Sequence, residues 1–219
     1  MRHFSRREFL RGITVTIAGL ALYPRTVAEL LAQNRGRKLG IALLGLGGYA
    51  SGQLGPALRE TRLCELRAVV TGHPEKGEQW ANEFSLKKQN IYSYETFDRI
   101  ADNKDVDIVY VVTPPALHPD FVIRAARAGK HVISEKPMAT SVTDCDRMIA
   151  ACGKSNVQLG VGYRMHYDLF RKELMRIANT QEFGPLTKLN GNFSFVMNQK
   201  QWRVEKKLAG GGAMMDLGI

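Results

Sequence analysis

The chain has 219 residues, 44% hydrophobic and 24% charged, an ordinary globular composition with enough apolar residues for one full domain and part of another. Its formal charge is +10, but residues 1–38 hold eight Lys/Arg against two Asp/Glu, and no run of Lys/Arg interleaved with aromatics follows. That placement argues against a nucleic-acid or other polyanion partner.

The basic excess falls in a leader. Ser5-Arg6-Arg7-Glu8-Phe9-Leu10-Arg11 precedes an apolar stretch from Ile13 to Tyr23. A basic n-region, an apolar h-region of about ten residues and a twin arginine predict a Tat-type signal over residues 1–32, cleaved after Ala28 or Ala32. The apolar run is too short for a stable membrane span. The expected partner is therefore the Tat export machinery, and the expected location the periplasm or another exported compartment.

After the leader, short apolar runs predict strands at 39–45, 65–71, 107–113, 131–134 and 157–161. Segments near 49–60, 75–84, 95–102, 117–128 and 141–154 are long enough for helical crossovers. Ile108-Val109-Tyr110-Val111-Val112 is continuously apolar, as a central parallel strand covered on both faces would be. The repeated β-then-α order predicts an α/β fold with a doubly wound parallel sheet, a Rossmann domain over residues 38–162. From about residue 163 the pattern changes. Met165 to Thr180 reads as a helix, Gly184-Pro185 as a turn, and Leu186 to Met197 as a strand with alternation in Asn192 to Val196. These features predict the start of an α+β domain over residues 163–219, for substrate binding and oligomerisation. A Gly210-Gly211-Gly212 run leads to Ile219 without a closing polar tail, so the second domain reads as partial.

Cys64, Cys145 and Cys152 are an odd and sparse set for an exported protein and read as buried free thiols. Cys145 and Cys152 would lie about 10.5 Å apart along one helix, too far for a bridge. No metal-ligand spacing is present.

Gly45-x-Gly47-x-x-Ala50 directly follows the first apolar run and opens a helix, the context that gives a glycine pattern its meaning. Gly45 allows the tight turn, Gly47 lets backbone N–H groups approach a pyrophosphate, and the small Ala50 permits close helix-on-strand packing. Gly48 and Tyr49 complete the loop, and the phosphate charge meets a positive helix N-terminus. At the end of the second strand, where an acid would bind a ribose 2'-hydroxyl, stand Thr71-Gly72-His73-Pro74-Glu75-Lys76. With no acid at Thr71 and with Lys76 close by, the site suits a 2'-phosphate, hence NADP in preference to NAD.

Thr113-Pro114-Pro115 and Glu135-Lys136-Pro137 end the next two strands, at the carboxyl edge where open α/β sheets bind ligands. Several motifs together make the chain resemble the Gfo/Idh/MocA oxidoreductases, most closely the periplasmic glucose-fructose oxidoreductase subgroup, from about residue 39 onward. They are the glycine loop, His118 after the Thr-Pro pair, Ala128-Gly129-Lys130-His131-Val132, Glu135-Lys136-Pro137, Tyr163-Arg164-Met165-His166-Tyr167, Gln201-Trp202-Arg203 and Ala209 to Ile219.

The resemblance implies an enzyme of the NAD(P)-dependent class acting on CH-OH groups of sugars, by hydride transfer between a sugar carbon and a tightly bound NADP. Lys136 would handle the hydroxyl proton, with a pKa lowered beside the nicotinamide charge. Glu135 would position the ribose, and a cis bond before Pro137 would fix the direction of Lys136. Thr113, Pro114, His118, Arg164, Trp202 and Arg203 would join the cofactor contacts. Tyr163, His166 and Asp216 would line the sugar site beside Lys136, Asp216 as a catalytic residue. The family's Tyr or His partner of that aspartate would fall at position 220, so these residues alone also read as an inactive dinucleotide-binding fragment. A sugar dehydrogenase with exchangeable NAD(P) is the other enzyme reading. Pro115 stands where the family commonly has Asn, which removes one amide contact to the nicotinamide. A homo-oligomer is implied for the complete protein, without an N-terminal arm, because about ten residues or fewer separate the cleavage sites from the first strand.

Overall fold

The computed structural model describes residues 37–198 and 201–218, so the leader lies outside the described residues. Six parallel strands form one sheet: β1 (Leu39–Leu44), β2 (Cys64–Val70), β3 (Ile91–Tyr92), β4 (Ile108–Val111), β5 (His131–Glu135) and β6 (Leu159–Gly162). Their order is β3-β2-β1-β4-β5-β6, the doubly wound Rossmann arrangement with its switch point between β1 and β4.

Alternation along the strands sorts side chains onto two faces. Ala42 and Leu44 of β1, with Val109, Val111 and Val132, pack on one face against Phe97, Ile100, Phe121, Val122 and Met148. Leu43 and Val69 pack on the other against Leu46, Ala50 and Trp80. Each large side chain withdrawn from water contributes about 1.5–3 kcal/mol. The helices that cover these faces are α1 (Gly55–Glu60), entered through a π-helical turn at Ala50–Leu54, then α2 (Pro74–Phe84), α3 (His118–Arg127) and α4 (Val142–Lys154). Ser141 caps α4 by accepting from the Asp144 N–H at 3.1 Å.

The Ala128 to Val132 motif proves to be a strand entry. Gly129 ends α3 with φ 71°. Lys130 is buried and donates to the carbonyls of Asn103 and Val106 at 2.8 and 3.0 Å, while His131 Nδ1 accepts from the Gln158 N–H at 3.0 Å. These bonds tie the entries of β4, β5 and β6 together.

Four expectations change. β3 was not foreseen, because two residues carry no alternation. It pairs only through Val69–Ile91 and Val70–Tyr92. The segment predicted as a crossover at 95–102 is a 3-10 helix over Phe97–Asp102 whose Phe97 and Ile100 are fully buried. The predicted strand at 186–197 makes no ladder bonds. A strand needs a partner for its N–H and C=O groups, and among the described residues none lies beside it. Of the three cysteines, only Cys152 is buried and the other two are partly exposed.

Beyond β6 come a 3-10 turn at Arg164–His166, α5 (Leu169–Thr180), α6 (Lys206–Ala209) and α7 (Ala213–Leu217). Asp168 starts α5 by accepting from the Arg171 N–H at 3.0 Å. Among the described residues, no helix is long and apolar enough to cross a membrane.

Candidate active site

The carboxyl ends of β1, β4 and β5 meet at the switch point. Gly45 leaves β1 with φ 99°, and a Cβ there would lie 2.9 Å from the Val112 carbonyl oxygen, so both the turn and the approach of β4 require glycine. Around Gly47 and Gly48, by contrast, no protein atom lies within 4 Å of a would-be Cβ. The space over these two residues is open to a ligand. Ala50 is fully buried under the turn, as its small size predicts. Beside the loop lies a cleft lined by Gly47, Gly48, Ser51, Lys76, Gln79 and Trp80. Lys76 is thus brought to the glycine loop, whereas the Thr71 hydroxyl is buried and accepts from the His73 N–H at 3.1 Å. Gly72 and His73 are exposed at the same strand end, with His73 Nδ1 3.5 Å from Glu75.

Thr113 is also buried, and its hydroxyl has no hydrogen-bond partner among the described residues. Its donor and acceptor capacity is unspent beside the Gly45 turn. Pro114 and Pro115 carry the chain from there into α3. His118 differs from expectation. It is fully buried, with Nε2 2.7 Å from the Thr113 carbonyl and Nδ1 3.1 and 3.2 Å from the Pro137 and Met138 carbonyls. Both ring nitrogens are thus engaged by backbone carbonyls within the protein. His118 ties the end of β4 to the end of β5, and burial pushes its pKa down.

The Lys136–Pro137 bond is cis. Lys136 Nζ donates to the Asp216 backbone oxygen and lies 3.4 Å from Asp216 Oδ1, while Arg203 Nε donates to Oδ2 of the same carboxylate at 3.0 Å. The Arg203 guanidinium stacks 4.4 Å from the Trp202 ring centroid. Residues 80 apart in sequence are thus joined, in a cleft walled by Pro115, Pro137, Phe195, Trp202 and Asp216. Trp202 and Arg203 stand here with Lys136 and Asp216.

Glu135 is buried, accepts from Tyr110 Oη at 2.5 Å and from the Lys136 N–H at 3.2 Å, and has its pKa raised by burial. Tyr49 and Arg164 lie close enough to interact electrostatically with it. Tyr163 and His166 pack edge to face at 5.7 Å, His166 exposed. Tyr110 was missed by sequence reasoning because it sits in an apolar strand. A lone hydroxyl-bearing ring in such a run was its only signal. Among the described residues, no group of His, Cys, Asp and Glu could hold a metal ion.

An open glycine cradle, an unspent buried hydroxyl and a lysine at the loop make a chemically consistent dinucleotide site. A family profile described as an oxidoreductase family with an NAD-binding Rossmann fold, Gfo/Idh/MocA, matches residues 39–163. The chain belongs to this family. It is 32% identical over 183 residues to the D-xylose 1-dehydrogenase [NADP(+)] of Haloarcula marismortui, covering 81% of this chain and 51% of that protein. The crystal structure of aldose-aldose oxidoreductase from Caulobacter crescentus complexed with glycerol is 45% identical with a TM-score of 0.76, over 82% of this chain and 54% of that one. The WlbA dehydrogenase of Bordetella pertussis, in complex with NADH and UDP-GlcNAcA, is 27% identical with a TM-score of 0.60, over 68% of this chain and 42% of that one. The chain spans about half the length of the curated relatives it matches.

Proposed function

We propose that the protein is an exported sugar oxidoreductase that keeps NADP bound and shuttles hydride between an aldose and a second sugar or aldehyde. The observation that carries this reading is the Lys136–Asp216–Arg203 cluster at the carboxyl end of β5, on the same edge of the sheet as the open glycine turn that follows β1. The relatives act on sugars by their names, one of them with NADP.

NADP, when bound, supplies the carbon that accepts or returns the hydride. The backbone from Gly45 to Ala50 holds the pyrophosphate. Lys76 meets the 2'-phosphate, and the acid-free end of β2 leaves room for its charge. The Thr113 hydroxyl has a bond to give to the cofactor, and Glu135 accepts from a ribose hydroxyl. Lys136 Nζ exchanges the proton of the sugar hydroxyl. Asp216 and Arg203 fix where that amine stands, and Tyr163 and His166 flank the sugar.

Export through the Tat route suits this reading, because that pathway carries folded proteins and a retained cofactor must be acquired before export. Denaturing purified full-length protein and identifying the released nucleotide tests it. The expected result is about one NADP(H) per chain. Released NAD(H) would overturn the choice of cofactor, and an empty protein that turns over only with added NAD(P) would overturn retention.

A further inference from the structure

The carboxylate of Glu135 is set by its neighbours on both adjacent strands. The parallel register aligns Tyr110 of β4 with Ile133 and aligns Glu135 with Gly162 of β6. Residues two apart on a strand share a face, so Tyr110 and Glu135 project from the same side of the sheet, and Gly162 flanks Glu135 from the other strand. Tyr110 Oη donates to Oε1 at 2.5 Å, and the Lys136 N–H donates to Oε2 at 3.2 Å. A carboxylate offers about four lone-pair sites, so each oxygen keeps one for a further donor. A Cβ on Gly162 would lie 2.7 Å from Oε1 and 3.0 Å from Tyr110 Oη. Both atoms are side-chain ends, so a methyl group there would displace the carboxylate and the hydroxyl while leaving the strand in place.

We infer that Tyr110 and Gly162 are positioning residues that aim the Glu135 carboxylate at the ribose of the bound dinucleotide, Tyr110 through its hydrogen bond and Gly162 through the space it leaves. This inference rests on the proposed function, in which Glu135 accepts from a ribose hydroxyl.

The charges around Glu135 support it. Burial pushes the Glu135 carboxyl up. Tyr110 on β4, Lys136 on β5 and Arg164 after β6 oppose that shift, the Tyr110 hydrogen bond most of all. Tyr49 of the glycine loop also faces it, and both tyrosine hydroxyls are pushed up, by burial first and then by the Glu135 charge. Both tyrosines therefore stay protonated and able to donate. Removing the Tyr110 hydroxyl raises the Glu135 pKa further, so the acid limb of dinucleotide binding moves to higher pH.

The test is NADPH binding to nucleotide-stripped full-length protein, followed by fluorescence between about pH 5 and 8, with thermal unfolding as a check on folding. Tyr110→Phe and Gly162→Ala are each expected to weaken binding about tenfold, the scale of one hydrogen bond to a charged group. Tyr110→Phe also moves the acid limb upward. The double variant Tyr110→Phe/Glu135→Gln binds no more weakly than Glu135→Gln alone, because both changes act through one carboxylate. Additive losses, or wild-type binding by folded Tyr110→Phe, would overturn the inference and leave the proposed function standing. Wild-type protein that binds neither NADPH nor NADH would overturn both. Tyr110→Phe keeps the ring, so it carries the test even where Gly162→Ala does not fold.

Discussion

Two glycines of one loop should behave oppositely when each gains a single methyl group. Gly45 has φ 99°, and its new Cβ would sit 2.9 Å from the Val112 oxygen and 3.1 Å from the Thr113 nitrogen, both backbone atoms. A left-handed conformation costs a non-glycine residue about 1–3 kcal/mol, and backbone that must give way adds about as much again. Gly45→Ala is therefore expected to lose about 3 kcal/mol. With an m-value of about 2 kcal/mol/M, that lowers the urea midpoint by about 1.5 M. Gly47 has no positive φ and no atom within 4 Å of its would-be Cβ. Gly47→Ala should change stability by less than about 0.5 kcal/mol, or raise it slightly through the unfolded chain. Yet it fills the open space that the proposed function gives to the pyrophosphate, so NADPH binding should fall by at least about tenfold, a loss of about 1.4 kcal/mol. Urea melts and an NADPH titration on the same samples read both effects. A Gly47→Ala protein as unstable as Gly45→Ala, or one that binds NADPH like wild type, would refute the separation of the structural glycine from the binding one.

Lys136→Ala should leave NADP(H) bound while cutting sugar turnover by about two to four orders of magnitude, measured as kcat on protein whose nucleotide content is checked after denaturation. Unchanged kcat would remove Lys136 from proton exchange. His118 should make stability fall on acidification. Burial holds its folded pKa below the ordinary value of about 6.5, so its contribution is complete above that value and is lost as pH falls through the folded pKa. His131 is shifted in the same direction. The readout is therefore the difference between wild type and His118→Asn, whose urea midpoint should be lower and less dependent on pH below about 6.5. A double replacement, Arg6→Lys with Arg7→Lys, should hold the protein in the cytoplasmic fraction, and unchanged export would contradict the Tat reading.

What could be read from the chain depended on the distance over which each signal acts. The glycine loop, the apolar run of β4 and the helix of residues 142–154 are local patterns, and each appears where its periodicity or turn chemistry puts it. The Lys136–Asp216 pairing was within reach only through family resemblance, because nothing in either local sequence joins residues 80 apart. His118 shows the converse. A histidine after a Thr-Pro pair suggests a ligand contact, yet both of its ring nitrogens face backbone carbonyls that no sequence pattern reveals. Tyr110 and Gly162 escaped notice because their role lies in cross-strand register, which becomes visible only when β4, β5 and β6 stand side by side. The segment at 186–197 alternates like a strand, but alternation reports a face to be covered and does not supply the neighbour that makes a ladder.

The most direct test of the account is to add an aldose to purified full-length protein with no external cofactor and record reduced-nicotinamide absorbance. The account predicts a single-turnover rise matching the bound NADP, reversed by a ketose or aldehyde and abolished in Lys136→Ala. Bound NADP that no aldose reduces, in protein shown to be folded, would contradict it.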